Sequence, residues 1–151
     1  MAVGFVIDAS VVVEFLAPGP SSAADRLIKG LSWDDPIELF APDLLLLEAA
    51  NALRRLAGAK ALSQTAADRA VGRLPQIAIT TIASGVLLEE AWSLRRQMTV
   101  YDGAYAGLAR SLERPLVTLD RRLVRACRSA EIEAFGLDQP ELASILDALE
   151  N

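Results

Sequence analysis

The 151-residue chain contains no histidine. That absence excludes a Ser-His-Asp triad, a Cys-His pair and histidine-liganded zinc. Cysteine is reduced to Cys127, so no internal disulfide and no cysteine-based zinc site can form. A lone cysteine fits a reducing compartment. Lysine occurs only as Lys29 and Lys60, the other 13 basic residues being arginine. Long apolar runs are missing too. Residues 1–15 are apolar but broken by Asp8 and Glu14, with no basic leader and no A-x-A site, which is not the pattern of a signal peptide. No run approaches the roughly 20 residues that span a bilayer. The expectation is a soluble, cytoplasmic protein without a membrane partner. If it is an enzyme, carboxylates, hydroxyls, Lys/Arg or a metal held by oxygen ligands must do the chemistry.

What is present reads as one globular domain over residues 1–151. An apolar fraction of 52% and a charged fraction of 23% argue against disorder. Val3–Ile7 is a β-branched apolar run, the pattern of a buried parallel strand. A helix is expected from Ser10 to Leu16, broken by Pro18-Gly19-Pro20, and another from Ser21 or Ser22 to about Leu31. Trp33-Asp34-Asp35-Pro36 reads as a turn and Glu38–Ala41 as a short strand. Pro42 and Asp43 look like the start of a helix stopped by Gly58. Ser63 opens a helix that ends near Pro75, and Ile77–Ile82 reads as a strand. Helices over Ser84–Gln97 and Asp102–Glu113 follow, with Leu87, Leu88, Ala91 and Leu94 on the inner side of the first. Pro115–Leu119 is a strand, followed by a basic helix to about Ser129. Glu131–Phe135 reads as a last strand and Pro140–Leu149 as a C-terminal helix. Alternating strands and helices indicate an α/β sandwich with a mostly parallel sheet.

Four acids stand out on this frame. Asp8 and Asp120 each follow an apolar strand, at the carboxyl ends where open parallel sheets collect ligands. Each is equally well placed to cap the next helix. Glu48 and Asn51 are polar anomalies in a leucine- and alanine-rich stretch and share one helix face. Apolar residues cover nearly the whole circumference there, so burial on most sides is expected. Asp102 lies in Tyr101-Asp102-Gly103-Ala104-Tyr105, where it also suits a helix N-terminus. Gly103 and Gly107 weaken that helix by about 1 kcal/mol each relative to alanine, a cost tolerable where another backbone approaches closely. The two tyrosines suit amphipathic packing. Four carboxylates converging from four segments would raise one another's pKa values and stay ionised only with a cation. Oxygen-only ligands select Mg²⁺ or Mn²⁺, which suits phosphoryl chemistry.

Val-Ile-Asp8-Ala-Ser10, Glu48-Ala-Ala-Asn51-Ala-Leu53, Tyr101-Asp102-Gly-Ala-Tyr105 and Leu-Val-Thr118-Leu-Asp120 resemble the PIN-domain nucleases. More narrowly they resemble the VapC-type toxins of toxin–antitoxin pairs. The likeness in order, spacing and length covers essentially the whole chain. It implies a three-layer α/β/α fold with a central, mostly parallel sheet, and Mg²⁺- or Mn²⁺-dependent RNA cleavage by an activated water, leaving 5′-phosphate and 3′-hydroxyl ends. By position, Asp8, Glu48, Asp102 and Asp120 match the catalytic, metal-holding acids. Ser10 and Thr118 match supporting hydroxyls, and Asn51 matches a frequent polar neighbour. The resemblance also implies a cognate antitoxin, a homodimer and possible toxin–antitoxin hetero-oligomers. The apolar positions in Val11–Leu16, Leu27–Leu31 and Leu44–Leu47 are candidates for core and for a groove that receives a partner helix.

Two departures stand beside the match. Arg121 and Arg122 follow Asp120, where many relatives carry a further Asp or Asn, which puts a complete second metal site in question. Gly103 and Gly107 replace alanines common in that helix, a change expected to touch stability more than chemistry. The net charge of −5 is unfavourable for RNA at first sight. Setting the four motif acids aside leaves 16 acids against 15 bases. Arg121, Arg122 and Arg96 are the candidate RNA contacts, since arginine binds phosphate bidentately. A receiver domain would need paired acids near the first strand and a well-placed lysine. A haloacid-dehalogenase-type phosphatase would need an acid where Ser10 stands. A catalytically inactive PIN-fold interaction module is the remaining alternative.

Overall fold

The computed structural model describes residues 3–17, 22–30 and 36–151. The Pro18-Gly19-Pro20 break, the Ser21 cap, the helix end near Leu31 and the turn at Trp33-Asp34-Asp35 lie outside the described residues. Five strands form the sheet: β1 (Val3–Ile7), β2 (Ile37–Pro42), β3 (Thr80–Ile82), β4 (Leu116–Thr118) and β5 (Ala134–Gly136). The helices are α1 (Ala9–Leu16), α2 (Ser22–Lys29), α3 (Leu45–Gly58), α4 (Gln64–Arg73), α5 (Leu88–Ser93), α6 (Val100–Leu112), α7 (Arg121–Ser129) and α8 (Pro140–Glu150).

Every strand pair is parallel, and the order is β3-β2-β1-β4-β5. From β1 the chain steps outward to β2 and β3, then crosses to β4 and steps the other way to β5. Right-handed crossovers therefore put α1–α4 on one face and α5–α7 on the other. The packing agrees: α1 lies against α2 and α3, α3 against α4, and α6 against α5, β1 and β2. The result is the three-layer α/β/α sandwich that the sequence implied. The central strands explain their own composition. Phe5, Val6, Ile7, Leu116 and Val117 are buried between two helical layers, so neither face is polar.

Several element boundaries differ from expectation. Pro42 closes β2, and α3 begins only at Leu45 without a side-chain cap. The Asp43 carboxylate is committed elsewhere: it accepts from the amide (3.1 Å) and the hydroxyl of Ser84, tying the turn after β2 to the turn after β3. The helix expected over Ser84–Gln97 is a 3₁₀ turn at Ser84–Leu87 followed by the six-residue α5. Leu87, Ala91 and Leu94 face inward as expected, but Leu88 is 61% exposed. After Trp92 the backbone tightens, with Arg95 N bonding Trp92 O, and the Arg95 guanidinium holds the same carbonyl. The last strand is shifted to Ala134–Gly136 because Glu131 takes a left-handed turn (φ 59°) and Ile132 N bonds back to Cys127 O.

Gly103 and Gly107 have a packing cause. A Cβ on Gly103 would stand 2.8 Å from Ala91 O, and one on Gly107 2.8 Å from Glu90 Cβ. These two positions, one turn apart on α6, let the backbone of α5 lie directly on the helix.

Candidate active site

The strand order reverses between β1 and β4, and there the connecting chains leave toward opposite faces. A crevice opens outside the carboxyl ends of such a strand pair. Asp8 is the residue after β1, and Asp120 lies two residues after β4. Asp8 Oδ1 accepts from the Ser10 amide at 3.1 Å and so caps α1, while the Ser10 hydroxyl donates to the same oxygen. Its Oδ2 accepts from Thr118 Oγ1 at 2.5 Å. Thr118 Oγ1 in turn accepts from the Asp120 amide at 3.0 Å, and Ser10 Oγ accepts from the Leu119 amide at 2.9 Å. The two hydroxyls thus lace the end of β1 to the end of β4. Burial pushes the Asp8 carboxyl above the usual carboxylate range, and the bonds from Ser10 and Thr118 pull it partly back. Asp8 therefore caps α1 with one oxygen while the other is tied to the end of β4.

Asp120 Oδ1 accepts from the amides of Arg122 (2.9 Å) and Leu123 (3.2 Å), capping α7. Asp102 sits in the first turn of α6. Thr99 caps that helix, its hydroxyl accepting from the Asp102 amide at 3.1 Å. The Asp102 carboxyl is raised, first by burial and then by the charge of Asp120, with the Thr99 bond and the Arg122 guanidinium opposing. Glu48 projects from the first turn of α3, and its Oε1 accepts from Tyr105 Oη at 2.7 Å. Its carboxyl is raised by partial desolvation and by the charge of Asp102, against the Tyr105 bond. Burial and then the hydrogen bond to Glu48 push the Tyr105 hydroxyl well above its usual range, so it remains a donor.

Electrostatics therefore link the acids in a chain, Glu48 to Asp102 to Asp120, with Asp8 laced to the segment that ends in Asp120. Among the described residues, no three acidic or thiol groups meet the geometry of a ready-made ion site. The donor chemistry still fits a hard divalent cation. Mg²⁺ takes one or two carboxylates and keeps several waters, which paired acids provide.

The expected burial of α3 on most sides is not found. Leu45, Ala49 and Leu53 form a narrow buried stripe, Leu47 is 78% exposed, and Glu48 and Asn51 are exposed. The leucine run covers one inner stripe and one open flank. Asn51 Oδ1 accepts from Arg54 Nε at 3.0 Å. With Ser10, Glu48 and Arg55 it lines a cavity of about 850 Å³ between α1 and α3. Of the apolar groove candidates, Val11, Val12, Leu16, Leu27 and Leu45 are core, and Val13 reaches the cavity.

The arginines divide. Arg122 stands by Asp102 and lines a small cleft with Met98 and Thr99. Arg121 is held by Asp138 at 3.0 Å. Arg96 is exposed in the turn after α5, and among the described residues no contact joins it to the acids. Two residues of the site escaped the sequence reading as such. Thr99 carries a legible signal, since T-x-x-D opens a helix much as a capping box does. Tyr105 carries none, because its partner lies 57 residues away.

Residues 5–129 match the family model described as the PIN domain. The chain is 37% identical over 122 residues to Ribonuclease VapC1 of Mycobacterium tuberculosis, covering 80% of this chain and 89% of that protein. The crystal structure of PAE2754 from Pyrobaculum aerophilum superimposes with a TM-score of 0.67 at 27% identity, covering 98% of this chain and 99% of the other. VapBC2 from Rickettsia felis, solved bound to a DNA fragment from its promoter, gives a TM-score of 0.62 at 11% identity, with coverage of 88% and 98%. The first of these matches exceeds what fold similarity alone would give, and the family model takes in Asp8, Glu48, Asp102 and Asp120: the chain belongs to the PIN-domain family, among its VapC-type members.

Proposed function

We propose that the protein is a Mg²⁺- or Mn²⁺-dependent endoribonuclease that acts as the toxin of a toxin–antitoxin pair in the cytoplasm. One observation carries the reading. Asp8 and Asp120 follow the adjacent strands β1 and β4, and like charge couples Glu48 to Asp102 and Asp102 to Asp120, an arrangement of mutual repulsion. A structural role does not call for such repulsion, whereas a divalent cation would relieve it. The four acids would hold the ion. When bound, a divalent cation supplies an activated water and neutralises charge on a phosphodiester.

The chain's own groups have distinct tasks. Ser10 and Thr118 hold Asp8 by both oxygens and favour its ionised form. Thr99 and Asp120 fix the helix starts from which Asp102 and Arg122 project. Arg122, beside Asp102, would donate hydrogen bonds to a phosphate. Arg121 and Arg96 would extend the basic rim along the RNA.

The name Ribonuclease VapC1 and the VapBC2 assembly support the activity and a cognate antitoxin. The cavity between α1 and α3 sets Glu14, Glu48 and Arg55 beside apolar Val13, Leu56 and Leu62, a mixed lining that suits an amphipathic segment of that partner. The exposed Leu47, Val86, Leu88 and Trp92 give apolar surface for a homodimer.

The test is cleavage of structured RNA by purified protein with Mg²⁺ or Mn²⁺, with EDTA, and with Asp8→Asn or Asp102→Asn. Cleavage that needs the ion and is lost in both variants is expected. A folded protein that binds no Mn²⁺ and cuts no transfer, ribosomal or messenger RNA would instead be an inactive interaction module.

A further inference from the structure

Tyr105 lies on α6, three residues after Asp102, so the two side chains share a helix face. Its ring is 2% exposed and belongs to the main core. Only the hydroxyl reaches the crevice, where it donates to Glu48 Oε1 at 2.7 Å. Glu48 has the opposite character: a flexible side chain on an exposed part of α3, facing the charge of Asp102. Repulsion alone would swing such a side chain out into water.

We propose that Tyr105 is a positioning residue that anchors the Glu48 carboxylate beside Asp102 and so completes the ion-holding cluster. The inference rests on the reading of the four acids as a metal site. A tyrosine suits the task for three reasons. Its ring is locked by the core, so the hydroxyl is a fixed point. Its hydroxyl is a neutral donor, so it holds Glu48 without cancelling the charge, as an arginine or lysine would. It engages Oε1, and the carboxylate has a second oxygen to offer a cation. Partners of this kind commonly contribute about 10- to 100-fold in metal affinity.

The experiment is a Mn²⁺ titration of the full chain, followed by the free-ion electron paramagnetic resonance signal, with the melting temperature measured in parallel. The proteins are wild type, Tyr105→Phe, Glu48→Gln and the double variant. Tyr105→Phe is expected to keep its fold and to bind Mn²⁺ about 10-fold more weakly or worse. In the Glu48→Gln background the same substitution is expected to add little, since its target is gone. Equal Mn²⁺ affinity in wild type and Tyr105→Phe overturns the inference and leaves the metal site standing. So does a loss of the same size in both backgrounds, which marks a general packing effect. A wild type that takes up no Mn²⁺ overturns the metal reading and this inference with it. If Tyr105→Phe fails to fold, the Tyr101→Phe protein keeps the question open to measurement, because Tyr105 is then its single tyrosine. Mg²⁺ should shift its ultraviolet difference spectrum, and an unchanged spectrum at saturating Mg²⁺ overturns the inference.

Discussion

Thr118 Oγ1 donates to Asp8 Oδ2 at 2.5 Å across the boundary between β4 and β1. Thr118 is fully buried, and its hydroxyl also takes the Asp120 amide. One side chain thus sets the position of two acids. Thr118→Val keeps the shape and removes both bonds. A hydrogen bond to a charged group is worth about 1.5–3 kcal/mol, so a loss of that order is expected in chemical denaturation. Thr118→Ser, which retains the hydroxyl, should lose less. If Thr118→Val unfolds at the wild-type denaturant midpoint, the lacing contributes nothing.

The raised acids give the ion-free protein an unusual pH dependence. Asp8, Glu48 and Asp102 all have carboxyls above their ordinary values of 3.8, 4.5 and 3.8, chiefly through desolvation. A raised acid binds its proton more tightly folded than unfolded. Its contribution is therefore fully present below the ordinary value and is lost as pH rises through the folded value. In EDTA, the contribution of these three groups falls as pH climbs out of the carboxylate range, so melting temperatures should be lower at neutral pH than just above 4.5. Excess Mn²⁺ at neutral pH should reverse the trend, since a ligand of the folded state stabilises by mass action. A flat profile in EDTA, or no rise with Mn²⁺, would count against the cluster.

Much of this site is legible in the sequence because its logic is local. Val3–Ile7 followed by Asp8, and Leu116–Thr118 followed by Asp120, announce strand, acid and helix cap within a few residues. Parallel topology then brings the two ends side by side. The misreadings concern what only tertiary packing decides. The leucine run of α3 gives no sign that Leu47 lies on an open flank, since apolar residues surround it on every side of the helix. The α5 region carries helical periodicity, yet the helix stops once Arg95 folds back on Trp92. Tyr101 and Tyr105 look alike four residues apart, but one is 69% exposed and the other buried against Glu48.

Gly103 and Gly107 offer a test with a sign opposite to helix propensity. Alanine at either position should gain about 1 kcal/mol in an isolated helix. Here each Cβ would press on α5 at 2.8 Å, on the rigid Ala91 carbonyl at Gly103 and on Glu90 Cβ at Gly107. Overpacking of this kind costs about 1–3 kcal/mol. Gly103→Ala and Gly107→Ala are both expected to destabilise, because Ala91 O and Glu90 Cβ are alike fixed to the α5 backbone. Denaturant midpoints check both, and a stabilised variant at either position would show that α5 shifts freely.

The arginines after Asp120 should not be equivalent toward RNA. Arg121 is turned to Asp138 at 3.0 Å, whereas Arg122 stands by Asp102 at the crevice. A phosphate drawn to a cation held by the acids would meet Arg122 first, while Arg121 must leave its partner to take part. Binding can be measured by fluorescence anisotropy with a non-cleavable RNA in Mg²⁺. Arg122→Ala is expected to weaken it more than Arg121→Ala. It should also reduce the slope of log affinity against log salt by about 0.7, the single-strand value for each phosphate that a basic side chain neutralises. Arg96→Ala should act as a weaker, purely electrostatic change. Equal losses in Arg121→Ala and Arg122→Ala would mean that the strand crosses α7 along its exposed side instead of entering beside Asp102.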